Sequence, residues 1–161
     1  NDDQYSHELR DVQRLALQKT TNTGMAVLMD IGEKDNGHPP NKQDVGKRLA
    51  LLALNRDYNF NLVDSGPLYS NHKLVKGSIE ISFDHVGSGL MAKGNLEGFE
   101  IAGDDDLFFP AKAQIKNNKI NVFSKKVKSP KNVRYGWENY FDATLFNIEG
   151  LPASSFNSLN K

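Results

Sequence analysis

Residues 24–31 read GMAVLMDI. This short, continuous apolar run decides the fold expected of the first part of the chain. Its length suits a strand buried on both faces, as in a parallel sheet. Upstream, Thr20–Thr23 is a polar break, and before it Glu8–Gln18 carries Leu9, Val12, Leu15 and Ala16 at helical spacing. Downstream, a loop over Gly32–Pro40 leads into Asn41–Leu54. Asn41 is placed to cap that helix, with Asp44 three residues on in the manner of a capping box. Val45, Leu49, Leu52 and Ala53 form one face, which Leu51 and Leu54 widen, so a well-buried helix is expected. Gly46 inside it costs about 1 kcal/mol against Ala, and a close helix–strand approach would explain its presence. Helix, strand, loop and helix in this order is the grammar of a layered α/β domain.

The period changes after Tyr58. In SIEISFDH, residues 78–85, Ile79, Ile81 and Phe83 alternate with polar residues, as in a half-buried strand. AQIKNNKINVFS, residues 113–124, reads as a hairpin turning on Asn117 and Asn118, because Asn tolerates the positive φ of a tight turn. GFEIAG, VRYGW and ATLFNI add further short strands between Gly, Asn, Asp and Pro punctuation. No helical pattern follows Tyr58. The expected fold class is α+β: an α-β-α unit over residues 1–57, then an antiparallel β-sandwich over residues 58–161.

Composition narrows the function. Among 161 residues, 20 basic side chains balance 20 acidic ones, which gives no reason to expect nucleic acid or an anionic membrane as partner. No apolar run of about 18 residues is present to span a bilayer. The absence of cysteine excludes disulfides, cysteine nucleophiles and thiolate zinc sites. No signal-peptide pattern opens the chain. It begins at Asn1, which raises the expectation of a piece of something longer, with any signal peptide on the part before it.

The candidate chemistry lies in DNGHPPNK, residues 35–42. Ligands of open α/β sheets bind beyond the carboxyl ends of the strands, and this loop follows the expected strand directly. His38 would stand at that edge, with Pro39 and Pro40 pinning the backbone after it. A histidine acts as general base when a carboxylate holds its tautomer, and Asp35 is within one turn of loop. Asp-x-x-His also recurs by chance, and a solvated turn fits the pattern as well.

The longer string NTGMAVLMDIGEKDNGHPPNKQDVGKRLALLAL, residues 22–54, closely resembles the C-terminal part of the sialate O-acetylesterases of the SGNH-hydrolase superfamily. IAGDDDLFFPAKAQI, VKSPKNVRYGW and LFNIEGLPASSF resemble the rest of that tail. The resemblance implies a remnant of an SGNH-type, flavodoxin-like domain followed by the sandwich. It implies a serine esterase that removes O-acetyl groups from sialic acid or related sugars, without cofactor or metal. It makes His38 the catalytic base. The superfamily's Asp-x-x-His maps onto Asp35, although close relatives place an aspartate where Asn36 stands here, and others use a main-chain carbonyl. Glu33 and Asn36 therefore remain alternatives to Asp35.

The family's serine motif and its Gly and Asn oxyanion donors are absent from these residues. Ser65 in VDSG, residues 63–66, follows the last helix and reads as an ordinary turn. The chain alone is expected to be inactive. Its expected partners are an acetylated sugar and an N-terminal part of the same enzyme carrying the serine, and the resemblance suggests a secreted or periplasmic site.

Other features have plainer readings. GDDD, residues 103–106, is expected to be a solvated acidic turn rather than a calcium loop. KKVKSPKNVR, residues 125–134, lacks the aromatics of a single-strand binder and reads as a solvated edge blunted by Pro130. His7, His72 and His85 have no partners at metal-ligand spacing. Tyr135 and Trp137, two apart, would share one strand face. They pack between sheets or form a sugar platform, and the platform is the basis of the alternative function, a non-catalytic carbohydrate-binding sandwich.

Overall fold

A computed structural model describes residues 5–160. Two helices come first. Helix α1 runs Ser6–Lys19 and α2 runs Lys42–Arg56. The Asn41 side chain accepts the Asp44 N–H at 3.1 Å, the cap expected, while its amide donates to the Asp44 carboxylate at 2.9 Å, a side-chain bond in place of the capping box's return bond to the backbone.

The strands that follow are β1 (Leu68–Val75), β2 (Ser78–Asp84), β3 (Leu90–Ala92), β4 (Phe99–Ala102), β5 (Phe109–Pro110), β6 (Lys112–Lys116), β7 (Lys119–Phe123), β8 (Asn132–Tyr135), β9 (Leu145–Asn147) and β10 (Phe156–Asn157). They form antiparallel sheets in the orders β1-β2-β7-β6 and β10-β8-β4-β5, with β3 and β9 as a separate ribbon. Both larger sheets contribute to one core. Ile79, Ile81, Ile120 and Val122 come from the first; Phe99, Ile101, Val133, Tyr135 and Phe156 come from the second. Phe83 and Phe156 meet across it edge to face, 5.9 Å between centroids.

The expected strands are therefore present. Ile79, Ile81 and Phe83 are buried and their neighbours in β2 are not. The β6–β7 hairpin turns on Asn117 and Asn118, at φ 51° and 55°, the left-handed pair that a two-residue turn needs.

The first part departs from expectation. Residues 24–31 do not form a strand: they pair with no other backbone segment. A parallel strand needs neighbours on its edges, and the described residues provide none. Side chains still alternate along it, with Val27 and Met29 buried in the β core and Leu28 exposed. Helix α2 is less buried than its leucines suggest. Only Arg48 and Leu52 are fully covered, Leu49 is exposed, and a Cβ at Gly46 would meet open space rather than a strand.

Helix α1 docks by its polar face. Arg10 Nε donates to Ser155 Oγ at 2.9 Å, and its Nη2 donates to the carbonyls of Gly136 and Glu138 at 3.0 and 2.6 Å. Asp11 is fully buried, accepts from Arg14 Nε at 2.8 Å and from Asn160 Nδ2 at 2.8 Å. These polar contacts occupy the side facing the sheets. Leu9, Val12 and Ala16 consequently point away, and Leu9 and Val12 are each about 60% exposed. Among the described residues no helix is long and apolar enough to cross a membrane.

Candidate functional site

Arg48 fixes the ground on which the candidate site stands. From inside α2 it donates to both oxygens of Asp30, at 2.7 and 2.6 Å, and to the Val27 carbonyl. This two-pronged pairing locks the end of the 24–31 segment to α2. The loop between them carries DNGHPP. Its backbone closes on itself through a short antiparallel bridge between Glu33 and Asn36.

Asn36 organises that loop. Its side-chain oxygen accepts the His38 N–H at 2.8 Å, and its amide donates to Glu33 Oε2 at 2.8 Å. The turn thereby fixes the His38 backbone while the ring stands in solvent. Asp35, three positions before His38, is exposed, and no hydrogen bond or ion pair joins its carboxylate to the His38 ring. The fold thus brings Glu33, Asn36 and His38 into one hydrogen-bonded turn, with Asp35 beside them. The Asn41 cap starts α2 immediately after the prolines, and its amide and the Lys47 ammonium hold Asp44 below the usual carboxylate range.

The loop borders a large groove. The cavity measures about 870 Å³ and is walled by Ala16 and Leu17 of α1, Met25 and Leu28 of the unpaired segment, and Val45 and Leu49 of α2. Glu33, Asn36, Gly37 and Pro39 line it, whereas exposed His38, between Gly37 and Pro39, does not. The walls are mostly apolar.

Ser65 is no free nucleophile. It is buried, its hydroxyl donates to the Gly66 carbonyl at 3.1 Å, and its own carbonyl accepts the Asn147 amide at 3.0 Å. Gly66 packs so tightly that a Cβ there would sit 2.1 Å from the Pro152 carbonyl oxygen. VDSG is thus not the turn expected but a packing seam against Leu151 and Pro152.

The acidic turn is internally satisfied. Asp104 pairs with Lys131, Asp105 accepts the Leu107 N–H at 3.2 Å, and Asp106 accepts the Asn132 amide at 2.7 Å. Pro130 precedes β8, an interior strand, so it blunts no edge. His72 is locally bonded to the Tyr69 hydroxyl at 2.7 Å and to the Lys131 carbonyl at 2.8 Å.

Tyr135 and Trp137 do not share a face. Tyr135 is fully buried, its hydroxyl accepts the N–H groups of Thr144 and Leu145 at 3.1 and 3.0 Å, and burial pushes its phenol up. The strand ends there because Gly136 adopts φ +58°, which turns Trp137 out of the sheet. A paired platform of the two rings is thereby excluded. Strand periodicity could not reveal this, because it assumes that the strand continues past Tyr135.

No protein-family model matches the chain, and no curated protein matches it. A crystal structure described as a novel carbohydrate acetylesterase from Xanthomonas citri is similar, with a TM-score of 0.86 and 40% sequence identity. The likeness covers 91% of this chain but 35% of that one, so the present chain spans about a third of the length of the esterase it matches.

Proposed function

We propose that this chain is the base-bearing part of a serine carbohydrate esterase that removes O-acetyl groups from sugars. The observation that carries the proposal is the place of exposed His38, between two residues that line an apolar groove, in a chain similar to one third of a carbohydrate acetylesterase. The groove is where a further layer of an α/β domain would pack. The 24–31 segment would then gain the strand partners it lacks, and α1 would bury Leu9 and Val12. On this reading residues 1–57 belong to an SGNH-type catalytic domain and residues 58–161 form an accessory sandwich.

The chemistry is acyl transfer. A serine on the portion that covers the groove faces His38, whose imidazole takes the hydroxyl proton as the oxygen attacks the acetyl carbonyl. The protonated His38 returns its proton to the departing sugar oxygen. Water then attacks the acetyl-enzyme with His38 again as base, and acetate leaves. Backbone or amide donors on the same portion stabilise the oxyanion. Asp35 serves as the orienting acid and steadies the imidazolium, with the Glu33–Asn36 pair holding the turn beneath it. The substrate is an acetylated sugar, with acetylated sialic acid suggested by the resemblance of residues 22–54. A secreted or periplasmic site suits such a substrate.

Joining the chain to the serine-bearing portion of the similar esterase and assaying 4-nitrophenyl acetate and acetylated sugars tests the proposal. Hydrolysis by the joined protein, its loss in His38→Ala, and no hydrolysis by the chain alone are expected. Serine-dependent turnover by the 161-residue chain alone would overturn it.

A further inference from the structure

A second cleft, sharing no residue with the groove beside His38, lies between the β3–β4 connection, the β5–β6 segment and the turn after β8. It measures about 660 Å³, within the size range of small-molecule sites. Trp137 forms part of its wall. The position of that ring is built rather than incidental. Gly136 reverses the chain at positive φ and donates its N–H to the Gly98 carbonyl at 2.9 Å, tying the turn to the opposite wall. The His7 ring meets Trp137 edge to face at 4.9 Å, and His7 Nδ1 is itself held by Asn139 Oδ1 at 3.2 Å. Arg134, held by Glu100 at 2.7 Å, lies 5.9 Å from the indole centroid.

The remaining wall offers side chains that suit hydroxyl groups. Asn95, Glu97 and Gln114 are exposed, and among the described residues none of the three side chains hydrogen-bonds to protein. An indole in the wall beside two free amides and a free carboxylate suits a pyranose ring, whose C–H groups pack on an aromatic side chain and whose rim both donates and accepts. The charge selects within that class. Glu97 and Glu138 line the cleft against Lys112, and Glu100 is neutralised by Arg134, so the balance is one negative charge and disfavours a ligand carboxylate. We propose that this cleft binds a neutral sugar chain, with Trp137 as the single aromatic platform, and disfavours anionic sugars. The inference shares with the proposed function only the carbohydrate class of the ligand. It concerns the sugars held at this cleft and not the ester met beside His38.

Trp137 is the only tryptophan, so its fluorescence reports on the cleft directly. The 161-residue chain is titrated with cellotriose, mannotriose and xylotriose as neutral probes and with a sialic acid dimer as the anionic one. Tryptophan emission and backbone amide NMR shifts are followed. At least one neutral trimer is expected to saturate both signals, with shifts clustered at Asn95–Glu100 and Ala111–Gln114 and weak or no response to the sialic acid dimer. Trp137→Ala should weaken binding by about tenfold or more, while Trp137→Phe retains most of it. Asn95→Ala and Gln114→Ala, at exposed positions, should weaken it with the fold intact. Glu97→Gln with Glu138→Gln should selectively improve sialic acid binding, which a purely structural role would not do. Silence from all three neutral trimers overturns the proposal, as does binding of the sialic acid dimer as tight as theirs. No turnover enters these measurements, so the result stands or falls separately from the role of His38.

Discussion

Arg48 and Asp30 form a two-pronged ion pair, Nη1 to Oδ1 at 2.7 Å and Nη2 to Oδ2 at 2.6 Å, with both side chains nearly buried. This pair, rather than a strand ladder, ties the segment ahead of the His38 loop to the helix behind it. Removing one partner leaves the other charge buried and uncompensated, which in such pairs costs about 3–5 kcal/mol. Asp30→Ala and Arg48→Met should each lower the unfolding free energy by roughly 3 kcal/mol. The double variant should recover part of the loss, because no lone charge is left. Urea unfolding of the three proteins checks this; additive losses would show that the two residues act separately.

In the joined esterase, His38→Ala should lower kcat by a factor of about 10⁴ or more. Asp35→Asn should lower it by a factor of about 10³–10⁴ with little effect on KM, because an orienting carboxylate acts on the imidazolium and not on ground-state binding. Should Glu33 or Asn36 hold the ring instead, Asp35→Asn would leave kcat nearly unchanged and Glu33→Gln or Asn36→Ala would depress it. Steady-state kinetics on 4-nitrophenyl acetate separates these outcomes.

Leu9 and Val12 stabilise nothing within this chain, since both are exposed on the outer face of α1. Leu9→Lys with Val12→Lys should therefore leave the stability of the isolated chain within about 0.5 kcal/mol. The same change should reduce binding of a hydrophobic dye and weaken association with the serine-bearing portion. A large loss of stability in the isolated chain would show that the face is covered without any partner.

Asn117 sits at φ 51° at the first corner of the β6–β7 hairpin. Asn117→Gly should be neutral, because glycine adopts that conformation freely, whereas Asn117→Ala should cost about 1 kcal/mol and Asn117→Val more. Thermal melts of the three variants give the order. Equal losses would mean that the Asn side chain, not the backbone angle, is what the turn requires.

The Lys119 ammonium, at 2.9 Å, and then the Lys73 ammonium, at 3.1 Å, hold the Glu80 carboxyl below its ordinary value of 4.5. A depressed carboxylate contributes stability above the unfolded value and loses it as pH falls through the folded one. Glu80→Gln should therefore reduce stability at neutral pH, with the difference from the unchanged chain fading below about pH 4.5. The group is open to solvent, so added salt should shrink the difference as well. A difference constant from pH 3 to 7 would remove the ionic explanation.

Local pattern was enough for the β part. Alternation in SIEISFD, the Asn-Asn turn and the Asn41–Asp44 cap depend on residues adjacent in sequence, so their chemistry is complete within a few positions of chain. His38 is singled out by the resemblance of one continuous stretch, residues 22–54, and its role rests on that resemblance. The fate of GMAVLMDI was not legible: whether an apolar run becomes a strand depends on an edge to pair with, and no residue in the run encodes that edge. Tyr135 and Trp137 part company for a related reason. The turn at Gly136 depends on Gly98, nearly forty positions away, accepting its N–H.

By itself, then, the sequence determined the identity of most elements, through short-range capping, turn geometry and periodicity. Only the tertiary structure decided which faces are covered. It turned the apolar side of α1 outward because Arg10 and Asp11 found polar partners among the strands and the turns that follow them, left the 24–31 segment beside an open groove, and swung Trp137 into a cleft. Burial is a property of what comes to lie opposite a residue, and that is set by long-range contacts that no local pattern contains.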